Sequence, residues 1–382
     1  MYKALEKWLL PYCKSVLRRP NFDSGPIHIM IAICDHFEPL APKSAKSTDI
    51  GDRRVERWLQ EWPELAKQFK DADGKHPKYS MFYPAEEAEK PDRYIPMLKP
   101  LVRDQWAEIE VHIHHRNDTA ESLAKKFNQF RDFLHLEHGL LGTDKNDKPG
   151  YAFIHGNWAL CNSHPSGDWC GVNEELDVLL QTGCYVDYTF PSIPSPTQPR
   201  RFCNSIYYAH TQPDQNRSYD KGVHARVGYK RNSNELLLIQ GPAGLNWKWR
   251  SKGILPRIET GDLCSNNPPT PLRADLWIKQ HVHVRGRPNW IFVKLHTHGC
   301  IEGNTDVLLG DPLRETFRHL NDKYNDGNMY ALHYVSAREM YNIARAAIDG
   351  KTGNPRQWRD YCYQPPKISH PEADSNSLLD DF

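Results

Sequence analysis

The sequence lacks any apolar run as long as the about 18 residues a membrane-spanning helix needs, so no such helix is expected. Its nine cysteines contain no C-x-x-C pair, and their odd number and scatter fit free thiols in a reducing cytoplasm better than a disulfide framework. Charge of one sign is missing too. The 49 basic and 48 acidic side chains leave a net charge of +1, which argues against nucleic acid as a partner. The N-terminus has neither the continuous apolar stretch nor the small-residue cleavage site of a secretory signal, so a cytoplasmic location is expected. Without export, the sequons at Asn117 and Asn216 carry no meaning. There is no glycine-rich phosphate loop, no G-x-S-x-G elbow, no heme motif and no internal repeat.

What is present is a chain of 382 residues, long enough to bury a large core. Aromatic residues are abundant, with 11 Trp, 18 Tyr and 13 Phe, and suit a core first and sugar rings second. Over residues 1–19, Leu5, Trp8, Leu9, Tyr12 and Val16 recur at helical spacing. An amphipathic helix there packs on the body, with a peripheral membrane contact as the other use of its apolar face.

Beyond it, short apolar runs alternate with helical patterns. Strands are predicted at Ile27–Cys34, Tyr79–Tyr83, Ala107–Ile113, Tyr151–Ile154, Tyr185–Phe190, Glu235–Gln240, Trp290–Leu295 and Tyr330–Val335. Between them lie helical stripes such as Val55, Trp58, Leu59, Trp62, Leu65 and Phe69, with Pro63 predicting a kink. Ser336 and Glu339 form a capping box, and Asp118 with Glu121 resembles another. The proline-rich segment 191–234 reads as a long excursion over one end of the sheet. Residues 1–25 form a lead-in and 351–382 a polar tail expected to wrap loosely. The body, 26–350, is an α/β fold, a (β/α)7–8 barrel that can be distorted.

In such folds the reactive residues gather where parallel strands end. The first strand ends in Asp35-His36-Phe37-Glu38, three ligand-type groups within four residues. The third ends in His112-Ile-His114-His115. Alternation puts His112 and His114 on one face, where two imidazoles can chelate a divalent ion; His115 faces elsewhere unless the strand has already turned. The seventh ends in Lys294-Leu-His296-Thr-His298, which invites a general acid. His155, Asn157 and Trp158 follow the fourth strand, and the fifth carries Asp187. These four and His298 are candidate substrate-binding residues. The pairs His281/His283 and His135/His138 read as structural or surface residues.

An apolar strand ending in Asp, a later one ending in clustered His and a late "L-H" together resemble the polysaccharide deacetylase (NodB-homology) superfamily. The stretches "HGNWALCNS…CGVNEELDVLLQTGCYVDYTFPS" and "YALHYVSAREMYNIA" are similar to its third motif and its final strand and helix. The chain departs from the family in three places. Asp35-His36 stands where the family has two Asp, Arg116 stands four residues after His112 where it has a second His, and His155 replaces an Arg. The resemblance implies removal of an acetyl group from an N- or O-acetylated carbohydrate. It implies a divalent metal, Zn first with Ni, Co or Mn as alternatives, held by Asp35, His36, His112 and His114 or His115. Asp35 would be the catalytic base, or a ligand, and His296 the acid. The alternatives are another metal-dependent hydrolase of amidohydrolase or glycosidase type, and a non-catalytic glycan-binding or polysaccharide-assembly protein.

Overall fold

The computed structural model describes residues 4–20, 25–41, 47–87, 92–251 and 253–368. Its order is α1 (Leu5–Leu17), β1 (Ile27–His36), α2 (Thr48–Ala66), β2 (Tyr79–Pro84), α3 (Tyr94–Arg103), β3 (Ala107–Ile113), α4 (Ala120–Asp132), β4 (Tyr151–His155), α5 (Glu175–Gln181) and β5 (Cys184–Asp187). Then come β6 (Ile206–His210), β7 (Gly222–His224), β8 (Glu235–Ile239), β9 (Gly244–Ser251), β10 (Leu255–Glu259), β11 (Asp262–Leu263), α6 (Pro271–Lys279), β12 (Trp290–Thr297), α7 (Glu302–Leu308), α8 (Asp311–Tyr324), β13 (Tyr330–Tyr334) and α9 (Ala337–Ile348).

The main sheet runs β11-β12-β1-β2-β3-β4-β5-β8-β6-β7 and is mostly parallel, as the strand–helix alternation predicts. β1 lies at its heart. One edge pairs with β12 from His28 to Asp35; the other is shared, β13 taking the first half and β2 the last four residues. No strand ladder joins the two ends of this path among the described residues.

Alternation sorts side chains onto two faces. Ile27, Ile29, Ile31 and Ile33 of β1 pack in the large cluster with Trp58 and Trp62 of α2 and Leu123 and Phe127 of α4. Met30, Ala32 and Cys34 pack on the other face with Met340, Ile343, Ala344 and Ala347 of α9. That stripe of α9 is the one its sequence marks, but the helix is not amphipathic in use. Arg338, Glu339 and Asn342 are buried as well. The Arg338 guanidinium donates to both Glu108 oxygens at 3.1 and 2.9 Å and to Asp360 at 2.7 Å. Glu339 accepts from Lys78 at 2.8 Å and from Arg359 at 3.1 Å, and Arg359 also reaches Asp71.

Four expectations differ from the structure. Residues 191–234 are not one excursion: β6, with the apolar run Ile206–Ala209, pairs antiparallel with β8, and β7 pairs with β6. The segment after Lys351 is held down as far as residue 368, because Arg359 joins the buried ion pairs and Tyr363 packs on Tyr185 with ring centroids 4.3 Å apart. Residues 369–382 of the expected tail, and 1–3 and 21–24 of the lead-in, lie outside the described residues. Pro63 does not break its helix, which runs unbroken as α2. The capping box of α4 is made by Thr119 and Ser122, one residue beyond the expected pair, whereas Ser336 and Glu339 cap α9 as read. In α1, Trp8 is fully buried beside Ile193, Cys203 and Ala243. No helix among the described residues is long and apolar enough to cross a membrane.

Removing one partner of a buried ion pair leaves the other charge without compensation, a loss of about 3–5 kcal/mol. Arg338→Met is therefore expected to lower unfolding stability by that order in denaturant melts. The double variant Arg338→Met/Glu108→Met should recover part of the loss. A single variant as stable as the parent would show that α9 does not depend on this pair.

Candidate functional site

The alternation that builds the core also distributes the polar strand ends. His36 continues the Met30, Ala32, Cys34 series onto the α9 face. On β3, Ile109, Val111 and Ile113 face the outer helices, so His112 faces the same side as His36. On β12, Ile291, Val293 and Leu295 face the outer helices, which leaves Lys294 and His296 on the α9 face, with His298 following just past the strand.

The rings meet there. His36 lies between His112 and His298, with ring centroids 4.5 Å from each, and His112 lies 4.7 Å from His114. Glu38 enters among them. Its Oε1 is 3.0 Å from His112 Nε2 and 3.4 Å from His114 Nε2. The donors form two overlapping groups, His36/Glu38/His298 and Glu38/His112/His114, each tight enough to hold a metal ion. Their outer nitrogens are occupied. His112 Nδ1 donates to the Ile154 carbonyl at 2.9 Å, and His114 Nδ1 to Glu86 Oε1 at 2.6 Å. Both arrangements turn Nε2 toward the cluster, as carbonyl and carboxylate partners do around metal-ligating histidines. His36 Nδ1 is buried with no hydrogen-bond partner.

Electrostatics agree with this donor set. Burial, then the neighbouring imidazoles, hold His36 well below the usual histidine range, and burial lowers His298. Neutral imidazoles offer lone pairs. Burial would raise Glu38, but the hydrogen bond from His112 and the surrounding rings hold it below the ordinary carboxylate range. An ionised carboxylate beside His36 and His298, both held toward the neutral form, is a donor set that suits a Zn-type site. Gly156 makes the close packing possible, since a Cβ there would stand 2.4 Å from the His114 ring.

Asp35 is elsewhere. One residue before His36 on a strand, it faces the outer helices. Its Oδ1 accepts from the Gly299 N–H at 2.6 Å, and a Cβ on Gly299 would stand 2.2 Å from Oδ2. The Gly299 carbonyl accepts from Trp58 Nε1 at 3.3 Å and from the Thr305 hydroxyl at 2.5 Å. Asp35 thus clamps the turn that carries His298. Burial pushes it up to about 7, against the pull of the Gly299 amide and the Tyr79 hydroxyl.

The remaining candidates divide. His298, expected at the substrate, lies within the ring cluster. His296 is buried with Nδ1 unpartnered, and burial, Lys294 and His298 hold it well below the usual range, so it is neutral at pH 7. A neutral imidazole does not arrive with a proton to donate, which departs from the expected acid. His155 faces the outer helices, in line with Tyr151 and Phe153, and lies fully buried against Glu175. Asn157 and Trp158 are half-buried on the turn after β4. Asp187 is buried, with Oδ2 accepting from the Thr189 hydroxyl at 2.6 Å and Oδ1 from the Thr189 N–H at 3.1 Å. Glu38 stood within the strand-end run but was not among the expected ligands, and Glu86 had no signal, since it comes from the turn after β2.

No protein-family model matches the sequence, and no curated protein matches it. Among solved structures, a crystal structure described as a putative polysaccharide deacetylase from Mycobacterium smegmatis aligns over 92% of this chain and 97% of its own, at 11% identity and a TM-score of 0.42. At that distance the likeness says nothing of the site. Fold and cluster together define a mixed α/β protein whose parallel strands end in a His/Glu cluster able to hold a metal ion.

Asp187 gives a pH signature. Burial raises it from 3.8 to about 7 in the folded chain. Between those values the native state keeps a proton that the unfolded chain releases, so stability falls as pH rises through the window, by up to about 1.4 kcal/mol per pH unit. Burial raises Asp35 and Glu110 as well, so Asp187→Asn is expected to lower the slope of the stability–pH curve there by the share of one group. An unchanged slope in denaturant melts from pH 4 to 7 would exclude Asp187 as its source.

Proposed function

We propose that the chain is a metal-dependent hydrolase that removes an acyl group, acetyl first, from an N- or O-acetylated carbohydrate. The observation that carries this reading is the convergence of His36, Glu38, His112, His114 and His298 where β1, β3 and β12 end. In this reading Glu38, His112 and His114 hold one divalent ion, zinc in preference to nickel, cobalt or manganese, with His36 and His298 beside it and a position left open for water and substrate. When bound, the ion supplies Lewis-acid polarisation of the acyl oxygen and a more acidic water.

The chain's own groups do the rest. Glu86 and the Ile154 carbonyl orient His114 and His112. Asp35 is a positioning residue rather than the base or a ligand, because its carboxylate holds the Gly299 amide and with it the turn of His298. His296, neutral and with Nδ1 open, takes a proton from the attacking water and returns it to the leaving amine or hydroxyl, an order of events opposite to an acid-first role. For a sugar ring, Trp158 and Trp169 border this end of the sheet. Trp169 is 39% exposed and stacked by the Arg116 guanidinium, 4.0 Å from its ring centroid.

The test is acetate release from a panel of N-acetylated and O-acetylated oligosaccharides, together with metal content. His112→Ala/His114→Ala is expected to lose both activity and part of the metal. Unchanged metal content in that variant would remove the proposed site. Cleavage of a different amide or a glycosidic bond, without acyl release, would replace the deacetylase reading by the wider hydrolase one. His296→Gln is expected to keep its metal and to lose about 10²–10⁴-fold in rate. Full activity in that variant would take the proton-transfer role away from His296.

A further inference from the structure

On the opposite face of the sheet a second group of ligand-type side chains is fully enclosed. We propose that His115, His155, Cys170 and Glu175 form a closed metal site that binds a zinc ion for structural support. His115 follows β3, His155 ends β4, Cys170 lies in the loop 156–174, and Glu175 opens α5. All four are buried, and one donor atom of each lies within 4.8 Å of the others.

Three of the spacings are of the size that a tetrahedral zinc site requires. Bonds of about 2.0–2.3 Å from zinc to N, O and S place neighbouring donors about 3.3–3.7 Å apart. Glu175 Oε1 is 3.3 Å from His115 Nε2 and 3.7 Å from His155 Nε2, and Glu175 Oε2 is 3.3 Å from Cys170 Sγ. The contact to His155 is too long for a hydrogen bond, and His155 Nε2 is buried with no partner. A lone nitrogen aimed at a carboxylate across an enclosed gap costs free energy unless something occupies the gap.

The surroundings match a metal site as well. His115 Nδ1 lies 3.2 Å from Asp118 Oδ2, and Asp118 is held by Lys126 at 2.8 Å and by the Ser122 hydroxyl at 2.6 Å. This is the carboxylate–histidine arrangement that orients a ligating ring. Cys170 Sγ accepts from the Val172 N–H at 3.4 Å, and Glu175 Oε2 from the Cys161 N–H at 2.6 Å. Loading releases the Cys170 thiol proton and the His115 Nε2 proton that faces Glu175 Oε1, and places the His155 ring proton on Nδ1, so the 3.1 Å contact from the Asn157 N–H to that atom is given up.

The donors also separate this site from the other cluster. A thiolate favours zinc over harder ions, and four protein ligands leave no open position, as in structural rather than catalytic centres. Three of the four come from the start, the loop and the end of the β4–α5 connection. The ion would fasten the segment that carries Trp158 and Trp169.

The test uses the full chain and two probes. With cobalt(II) in place of zinc, the parent is expected to show a thiolate-to-cobalt charge-transfer band. Cys170→Ser should lose the band and one metal ion per chain. His112→Ala/His114→Ala should keep it, which separates failure of this site from failure of the proposed hydrolase centre. X-ray absorption at the zinc edge of the unaltered protein needs no variant and should show sulfur at about 2.3 Å. Absence of both the band and the zinc–sulfur distance from the parent overturns the proposal, as does a band that persists in Cys170→Ser.

Discussion

Everything in this fold is referred to β1. Its ten residues are all buried, and both edges are used: β12 along one, β13 and then β2 along the other. A strand so enclosed cannot slip, because a shift of one residue would send every isoleucine to the wrong face. That fixed register makes the chemistry at its end definite. His36 must share a face with Cys34, and Asp35 must share one with Ile33. The neighbouring ladders carry the same rule to His112 on β3 and to Lys294 and His296 on β12.

The rule also explains what was legible beforehand. Alternation placed His112 with His114 and His296 with His298 from sequence alone. Applied to Asp35-His36, it separates the two, but the resemblance to a deacetylase pulled them together as base and ligand. Glu38 lies past the strand end, where period two no longer holds, and only the turn into Pro39 brings its carboxylate back among the rings. Glu86 and Cys170 arrive from a turn and a loop, and Glu175 from the start of a short helix, and the direction of each is set by tertiary contacts. The burial of α9 was half legible. Met340, Ile343, Ala344 and Ala347 mark one stripe, while Arg338 and Glu339 look like a solvent face and are buried because Glu108, Lys78 and Arg359 neutralise them.

Segment 191–234 shows the opposite error. Its prolines at 191, 194, 196, 199 and 213 dominate the composition and read as irregular chain. Between them Ile206–Ala209 is apolar enough to add an antiparallel strand beside β8. Proline density describes where strands stop, not whether a strand stands between the stops.

The two polar clusters are consequences of one dipeptide. His114 and His115 leave the end of β3 toward opposite faces, His114 to Glu38 and Glu86, His115 to Glu175 and Asp118. The sheet lies between the clusters, so each has its own solvent condition. On one side His114 and His298 remain partly exposed. On the other, every donor is sealed under the β4–α5 loop. Adjacent residues of the same type thus meet different environments, and in an enclosed one a donor without a partner is costly whereas in an open one water can serve. The position of His114 depends on the backbone at 113–116, and His115 anchors that backbone from the other face through Asp118 and Glu175.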